Sequence, residues 1–483
     1  MDTDSTKWLK LRSGSDIRSR DAALTDDVCE RIGYAFACML AERLGTTPDK
    51  LVIALGRDGR ESGRRIQAAL SRGVTAADSD VLDGGLCAQP ALFSRVLRGD
   101  GQTAHGAVMV TGGDAGEGYN GFKFLTASGG LKEADVALIL RMASATKVPE
   151  RLVTRVDLMD DYREFLKAQA AVLLKDDALK PLLGLYLVVD TATTGGDFFA
   201  ALMEELGADV ERLSGGETLD AAVPRYGADM GMAFDSDSSR VYLFDAAGRA
   251  VDGNRLIALV SAMLLMQKPG LTIVTDSVTS TGLSAFIAEW GGVHYRFKRG
   301  YRRVINEAVR LNGELIDCPL AIETTGHAAF RENQFLDDGI YLALRIACEA
   351  LDCKREGKTV FDPLNDLSVP VEDQSLRLRV LDEEDPAASC QEVVEIILSH
   401  TLVNPEWQMA SDSREGVRIT FNLDGGINNA WFQLRMSVHD SQMALHAESD
   451  IPGGVRHVLG ELYGLIGDTE LLDMEPLKKL LGK

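Results

Sequence analysis

The chain has no surplus of positive charge. Its 51 Lys and Arg against 73 Asp and Glu leave a formal charge of −22 over 483 residues, with an isoelectric point near 4.8. A nucleic-acid partner requires a basic surface that displaces counterions from phosphates. Average charge excludes one here, although a local basic pocket stays compatible with it. The seven cysteines are odd in number and form no CxxC pair. They exclude a disulfide framework and predict reduced thiols in a cytoplasm. The seven histidines are dispersed, with neither HExxH nor a Cys/His zinc spacing, which excludes a buried catalytic zinc. Met1 to Arg20 holds no apolar segment of the secretory kind, so no signal peptide is expected. The longest apolar stretch, Leu256 to Met266, is too short to cross a bilayer and predicts a buried helix. No membrane partner is expected.

What is present is an ordinary globular composition, 45% apolar and 26% charged, which supports a large core. At about 150 residues per domain the length suggests three or four domains. Three segments open alike, an apolar strand running into a polar or Gly-rich turn and then a helical pattern. They are Leu51 to Asp58, Gly184 to Asp190 and Leu271 to Asp276. Helical spacing follows, as from Phe198 to Leu206 with Gly207 as a stop. Continuous apolar strands alternating with helices predict three similar domains with parallel α/β sheets covered on both faces. The last portion differs. Leu376 to Val380 alternates and Gln391 to His400 is helical in pattern; strands at 416–422, 430–436 and 442–448 and a helix from about Gly454 to Ile466 follow. This grouping predicts a small α+β domain. The expected domains are 1–150, 151–255, 256–368 and 369–483, with breaks near Lys147 to Val156 and Gly253 to Gly270 and a linker at Asp362 to Asp373.

Four segments carry polar groups in suggestive patterns. Ser13 to Arg18, with the later run Val108 to Lys123, offers a strand ending in a Gly-rich loop whose N–H groups can hold an anion, with Arg18 and Lys123 supplying charge. Read alone, it is equally a plain surface turn. Gly231 to Arg240 ends an apolar strand in alternating carboxylates, Asp235 and Asp237. These are hard oxygen ligands of the kind that suit Mg²⁺; a capped turn reads the same way. In Ala321 to His327, the alternating Glu323, Thr325 and His327 offer acceptors and donors to sugar hydroxyls, and a lone histidine there also fits a plain hydrogen-bonding role. Leu434 to Asp440 carries Arg435, Ser437 and His439, which could clamp a phosphate or simply form a polar hairpin.

Together, in this order and spacing, the segments resemble the α-D-phosphohexomutase superfamily, the phosphoglucomutase and phosphomannomutase enzymes, over essentially the whole chain. The superfamily's Asp-Ile-Arg opening is matched by Asp16 to Arg18, its Gly-Arg-Asp-x-Arg-x-Ser-Gly stretch by Gly56 to Gly63, and its Tyr-Asn-Gly-x-Lys by Tyr119 to Lys123. Its Glu-x-Ser/Thr-Gly-His sugar loop is matched by Glu323 to His327, followed by Glu332-Asn and Asp337-Asp-Gly339; Phe297 to Tyr301 resembles its Lys-x-Gly loop, with Lys298 as the lysine. The closing phosphate loop departs from the usual Arg-x-Ser-Gly-Thr-Glu-Pro: here Arg435 and Ser437 stay and His439-Asp follows. The resemblance implies a heart-shaped molecule of four domains around one cleft, three similar α/β domains with mixed sheets and a fourth of the TATA-box-binding-protein-like α+β kind. It implies a phosphoserine that hands its phosphoryl group to a hexose phosphate and takes the other phosphate back, with Mg²⁺ neutralising the moving group.

Two departures fall on that chemistry. Where the superfamily reads Thr-Ala-Ser-His-Asn-Pro, this chain reads Thr111 to Gly116 with Gly113 at the phosphoserine position and Asp114 beside it; where it reads Asp-Gly-Asp-x-Asp-Arg, the third carboxylate is Ser239. A phosphoserine carries about −1.5 to −2 charge, so Mg²⁺ affinity is expected to be weak or absent. Arg18, Lys123, Lys298, the sugar loop, Arg435 and Ser437 remain. The expectation is a cytoplasmic protein that binds a hexose phosphate, such as a glucose or mannose phosphate, without standard mutase activity. As such a pseudoenzyme it would act as a sensor or as partner of an active paralogue or of a second copy. The alternative is an active intramolecular phosphotransferase with Asp114 as nucleophile or as a metal ligand beside Asp235 and Asp237, or, more remotely, with Thr111. A third reading places different sugar-phosphate chemistry in the old cleft, with Glu323 or His327 as acid or base.

Overall fold

Helix starts and stops are written into the first element after the opening strands. Thr25 accepts a hydrogen bond from the Val28 N–H, Asp26 and Asp27 lie in the first turn, and Gly45 closes the helix Asp26–Leu44 in the left-handed conformation. The helix Gly63–Ala76 packs against it closely. A Cβ on Gly73 would stand 1.8 Å from the Glu30 carbonyl oxygen, and one on Gly33 2.3 Å from that of Leu70. The contact therefore requires glycine on both helices, and the hydrophobic faces meet over Ile32, Phe36, Ile66 and Leu70.

The computed structural model describes residues 7–98, 103–148, 154–155, 157–176, 178–382, 384–437 and 441–483. The chain divides into two compact units, Met1–Asp252 with Thr325–Val360, and Gly253–Thr324 with Phe361–Lys483. In the first unit, Val52–Arg57 pairs in parallel with Gly106–Val110 and with Asp80–Leu86. Tyr119–Thr126 runs antiparallel to Gly106–Val110 and to Asp16–Arg20. A second sheet has Tyr186–Asp190 parallel to Asp209–Leu213 and Met230–Phe234, then Val241–Asp245 antiparallel. The hairpin Ala328–Phe330 with Leu336–Asp337 and the helix Gly339–Arg355 complete this unit.

In the second unit, Thr272–Thr275 lies parallel to Val293–Arg296 and to Leu320–Ile322. The C-terminal sheet is antiparallel throughout, in the order Glu372–Arg379, Gln442–Ser449, Ala430–Met436, Val417–Phe421 and Gln408–Met409. The helices Pro386–Thr401, Gly454–Ile466 and Glu475–Leu481 contribute to its core.

The α/β class with mixed sheets, followed by an α+β C-terminal portion, is the architecture expected. The apolar run Leu256 to Met266 lies in the helix Gly253–Gln267, buried from Leu256 to Leu265. Among the described residues no helix is long and apolar enough to cross a membrane. Three details differ from expectation. The α/β sheets are mixed, as the resemblance implied, and not parallel as apolar patterning alone predicted, because each strand run is extended by an antiparallel return that such patterning does not distinguish. The stretch Asp362 to Asp373 is no open linker: it holds the 3₁₀ turn Asp362–Asp366, and the strand Glu372–Arg379 begins inside it. The closing helix Glu475–Leu481 was not expected; its few residues fall below the length at which periodicity is legible.

Candidate functional site

The carboxyl ends of the parallel strands deliver the polar loops, as is usual for α/β sheets. In the first unit Val52–Arg57 leads into Asp58, Gly106–Val110 into Thr111, and Met230–Phe234 into Asp235. Arg18 and Lys123 enter from the neighbouring antiparallel strands Asp16–Arg20 and Tyr119–Thr126.

Arg60 organises the loop from Gly112 to Tyr119. Its five N–H donors are all engaged: with Asp58 Oδ2 at 3.2 Å and with the carbonyls of Gly113 at 2.8 Å, Ala115 at 2.7 Å, Gly116 at 3.1 Å and Tyr119 at 3.0 Å. Asp58 is fully buried; burial raises its carboxyl above the usual range, against the hydrogen bond from Thr111 Oγ1 at 2.7 Å. The Thr111 hydroxyl, buried and already donating to that carboxylate, accepts the Gly113 N–H at 2.9 Å. It is a strut of the loop and no exposed nucleophile. Ser236 Oγ donates to the Gly113 carbonyl at 2.9 Å and so ties the Gly-rich loop to the loop from Asp235 to Arg240.

Gly113 adopts φ +58, and a Cβ built there would lie 2.7 Å from Arg18 Nη2. The space a side chain at position 113 would enter holds the end of the Arg18 guanidinium. Asp114 is turned to the same arginine: Arg18 Nη1 donates to Oδ1 at 2.8 Å, and Arg240 Nη1 lies 3.7 Å from Oδ2. Against partial burial, Arg18 and then Arg240 hold the Asp114 carboxyl below the usual range. Asp114 therefore pairs with cations and does not stand as a third ligand beside Asp235 and Asp237. Among the described residues no group of three or more His, Cys, Asp or Glu gathers in metal-binding geometry.

The two carboxylates of the metal-type loop are engaged by the chain itself. Lys123 Nζ lies 2.9 Å from Asp237 Oδ2, and Ser239 Oγ donates to Asp237 Oδ1 at 2.7 Å. Asp235 accepts from Arg240 Nε at 2.9 Å and the Arg240 N–H at 3.0 Å, with Ser239 Oγ at 3.3 Å. Burial and the nearby Asp237 charge raise the Asp235 carboxyl. Burial acts on Asp237 too, but the Lys123 ammonium wins and holds it well below the carboxylate range. This donor set does not fit a divalent cation: a lysine, an arginine and a hydroxyl already occupy the oxygens that would ligate it.

His327 adjoins this cluster through Arg240. Its Nδ1 lies 3.0 Å from Asp337 Oδ2, and its backbone bridges that of Arg240. Thr325, two residues earlier, is half-buried.

In the second unit, Glu323 Oε1 accepts the Gly300 N–H at 2.5 Å, and Asp276, buried, accepts the Thr324 hydroxyl at 2.6 Å. Lys298 is exposed on the loop after Val293–Arg296. Arg435 is buried on Ala430–Met436, with Ser437 just beyond its end. Glu415 accepts from Ser277 Oγ at 2.7 Å and from the Arg299 N–H at 3.1 Å, and lies 3.7 Å from Arg435 Nε. His439 lies outside the described residues. The structure thus gathers Arg18, Gly113, Asp114, Lys123, Asp235, Asp237, Ser239 and His327 in one unit and Lys298, Glu323, Arg435 and Ser437 in the other. Sequence reading passed over Asp58, Arg60 and Asp337, although the stretch Gly56 to Gly63 and the Asp337-Asp-Gly339 motif pointed at them.

Comparison with known proteins agrees with this layout. The family model "Phosphoglucomutase/phosphomannomutase, alpha/beta/alpha domain I" matches residues 10–147, and the corresponding domain III model matches 252–368. The chain is 27% identical over 450 residues to a phosphomannomutase/phosphoglucomutase of Pseudomonas putida, covering 88% of each chain. It is 31% identical over 350 residues to a phosphoglucosamine mutase of Desulforudis audaxviator, covering 67% of this chain and 74% of that one. A crystal structure of a phosphoglucomutase/phosphomannomutase family protein from Burkholderia thailandensis superposes with a TM-score of 0.75 at 21% identity, over 98% of this chain and 100% of the other. Strand-end loops, motif order and matched family models lead to one assignment: the chain belongs to the α-D-phosphohexomutase superfamily of phosphoglucomutases and phosphomannomutases.

Proposed function

We propose that this chain binds a hexose phosphate and does not run the phosphoserine relay. The observation that carries the proposal is the backbone at Gly113, left-handed and with the Arg18 guanidinium 2.7 Å from where a Cβ would be. Relay chemistry needs a side-chain oxygen held in line with the phosphorus, and small misplacements are costly. Here that space holds a cation. The Lys123–Asp237 pair and the Ser239 hydroxyl support the same reading for the metal loop, where charge is balanced without Mg²⁺.

Binding groups are kept. Arg18, Arg240, Arg435, Ser437 and Glu323 provide charge and hydrogen bonds for phosphate and hydroxyl groups. Catalysis through Asp114 is disfavoured by its pairing with Arg18, which lowers the nucleophilicity of the carboxylate and fixes it away from free rotation.

Incubation with glucose 1,6-bisphosphate followed by intact mass spectrometry tests the reading. The expected result is an unmodified chain, with phosphorus NMR showing broadening of glucose 1-phosphate and no 6-phosphate formed. A phosphorylated chain that turns over would overturn it, and peptide mapping of the label would show whether Asp114 carries it.

A further inference from the structure

The C-terminal sheet has two faces. Leu378, Leu434, Met443 and Leu445 point into the helix-covered core. On the opposite face, the register sets Arg377 and Arg435 against one residue, Ala444, from either side of the strand Gln442–Ser449. Directly opposed residues share a face. Both guanidiniums therefore rise from one row with only a methyl group between their stems. With strands about 4.8 Å apart, the stems stand about 10 Å from each other, which leaves a gap suited to a tetrahedral oxyanion held by two arginine forks.

The surroundings fit that use. Arg377 is exposed at the rim and Arg435 buried at the floor. Arg377 Nη1 donates to Ser437 Oγ at 3.1 Å, which adds a hydroxyl to the Arg377 side of the row. The like charges oppose one another: burial lowers the proton affinity of Arg435, and Arg299 and Arg377 lower it further against the help of Glu415. Glu415 lies 3.7 Å from Arg435 Nε and is shared with Ser277 and the Arg299 N–H. An anion bridging the row relieves that repulsion directly.

We propose that Arg377 is a second phosphate ligand, and that the C-terminal sheet grips the phosphate of a sugar phosphate between Arg377 and Arg435 over Ala444. This rests on the reading that the chain binds a sugar phosphate and adds to it a residue outside every recognised motif. Arg377 is a binding residue and takes no part in bond making.

The test is calorimetric titration of the whole chain with glucose 1-phosphate and with inorganic phosphate, for the wild type, Arg377→Gln, Arg377→Lys and Arg435→Gln. A charge-assisted hydrogen bond is worth about 1.5–3 kcal/mol, so Arg377→Gln is expected to weaken binding by about ten-fold or more. Arg377→Lys, which keeps the charge and loses the fork, is expected to fall between, and as an exposed exchange it guards against a folding artefact. Wild-type affinity in both Arg377 variants, with loss in Arg435→Gln, would overturn this proposal and leave the sugar-phosphate reading standing. Unchanged binding in all three variants would overturn it by placing the phosphate elsewhere. No binding by the wild type would remove the sugar-phosphate reading, and this proposal with it.

Discussion

Lys123 Nζ lies 2.9 Å from Asp237 Oδ2, and neither side chain reaches solvent to any useful extent. Removing two charges from water is expensive, and only close geometry and further hydrogen bonds offset it. Ser239 Oγ and the Ser239 N–H supply those bonds to Asp237. Positive charge at the metal-type loop is thus covalently part of the chain.

Substituting Lys123 by Met strands the Asp237 carboxylate in the interior. Breaking a buried pair from one side costs about 3–5 kcal/mol, to be read from urea unfolding at pH 7.5. In the wild type Asp237 is held below the ordinary carboxylate range, so its contribution is complete above about pH 4 and is lost only as pH falls through the depressed value. In the variant, burial without the cation raises the same carboxyl, and the neutral acid is tolerated as pH falls. The stability gap between the two proteins should therefore narrow from pH 7.5 to pH 5. A gap that widens towards acid would contradict the assignment of the pair.

Divalent metal offers a second check. Titrating chelator-stripped protein with Mn²⁺ under electron paramagnetic resonance should show the free-ion signal throughout for the wild type. Ser239→Asp restores a third carboxylate, and together with Lys123→Met it should depress the free-ion signal by binding the ion. Tight Mn²⁺ binding by the unaltered chain would remove the argument from internal cations.

Gly113→Ser should not rebuild a phosphoserine. A side chain at φ +58 costs about 1–2 kcal/mol, and its Cβ must also displace Arg18. The expected outcome is a lower urea midpoint and no phosphoryl adduct after exposure to glucose 1,6-bisphosphate. An adduct on the introduced hydroxyl would be the sign that the loop relaxes more readily than its contacts imply.

Arg60→Lys retains the charge and loses the five-donor fork. Four loop carbonyls and Asp58 lose partners together, so amide hydrogen exchange across Gly112 to Tyr119 should quicken well beyond any change in the helix Gly454–Ile466 of the other unit. Equal protection in both proteins would mean that the loop is held by Thr111 and Ser236 alone.

Much of this layout was legible before any coordinates. The apolar runs Val52–Arg57, Tyr186–Asp190 and Thr272–Thr275 read as strands because each is apolar on both faces, and the helix Gly454–Ile466 fell where its periodicity placed it. The motifs around Arg18, Gly113, Lys123, Asp235 and Glu323 were equally visible, since residue type and spacing are linear properties. Arg60 and Arg377 were harder. Arg60 matters because its loop folds back around it. Arg377 matters because two strands far apart in the chain share one register with Gln442–Ser449.

The sequence by itself determined the family, the α/β and α+β classes, and which residues stand in the two loops, glycine at position 113 and serine at position 239. Those are matters of which atoms exist. Only the tertiary structure decided what these loops and strands meet: Arg18 against Gly113, Lys123 and Ser239 against Asp237, and two arginines across Ala444. Each depends on a distance between residues remote in the chain. Electrostatic energy follows separation and burial, and neither is written in the order of residues.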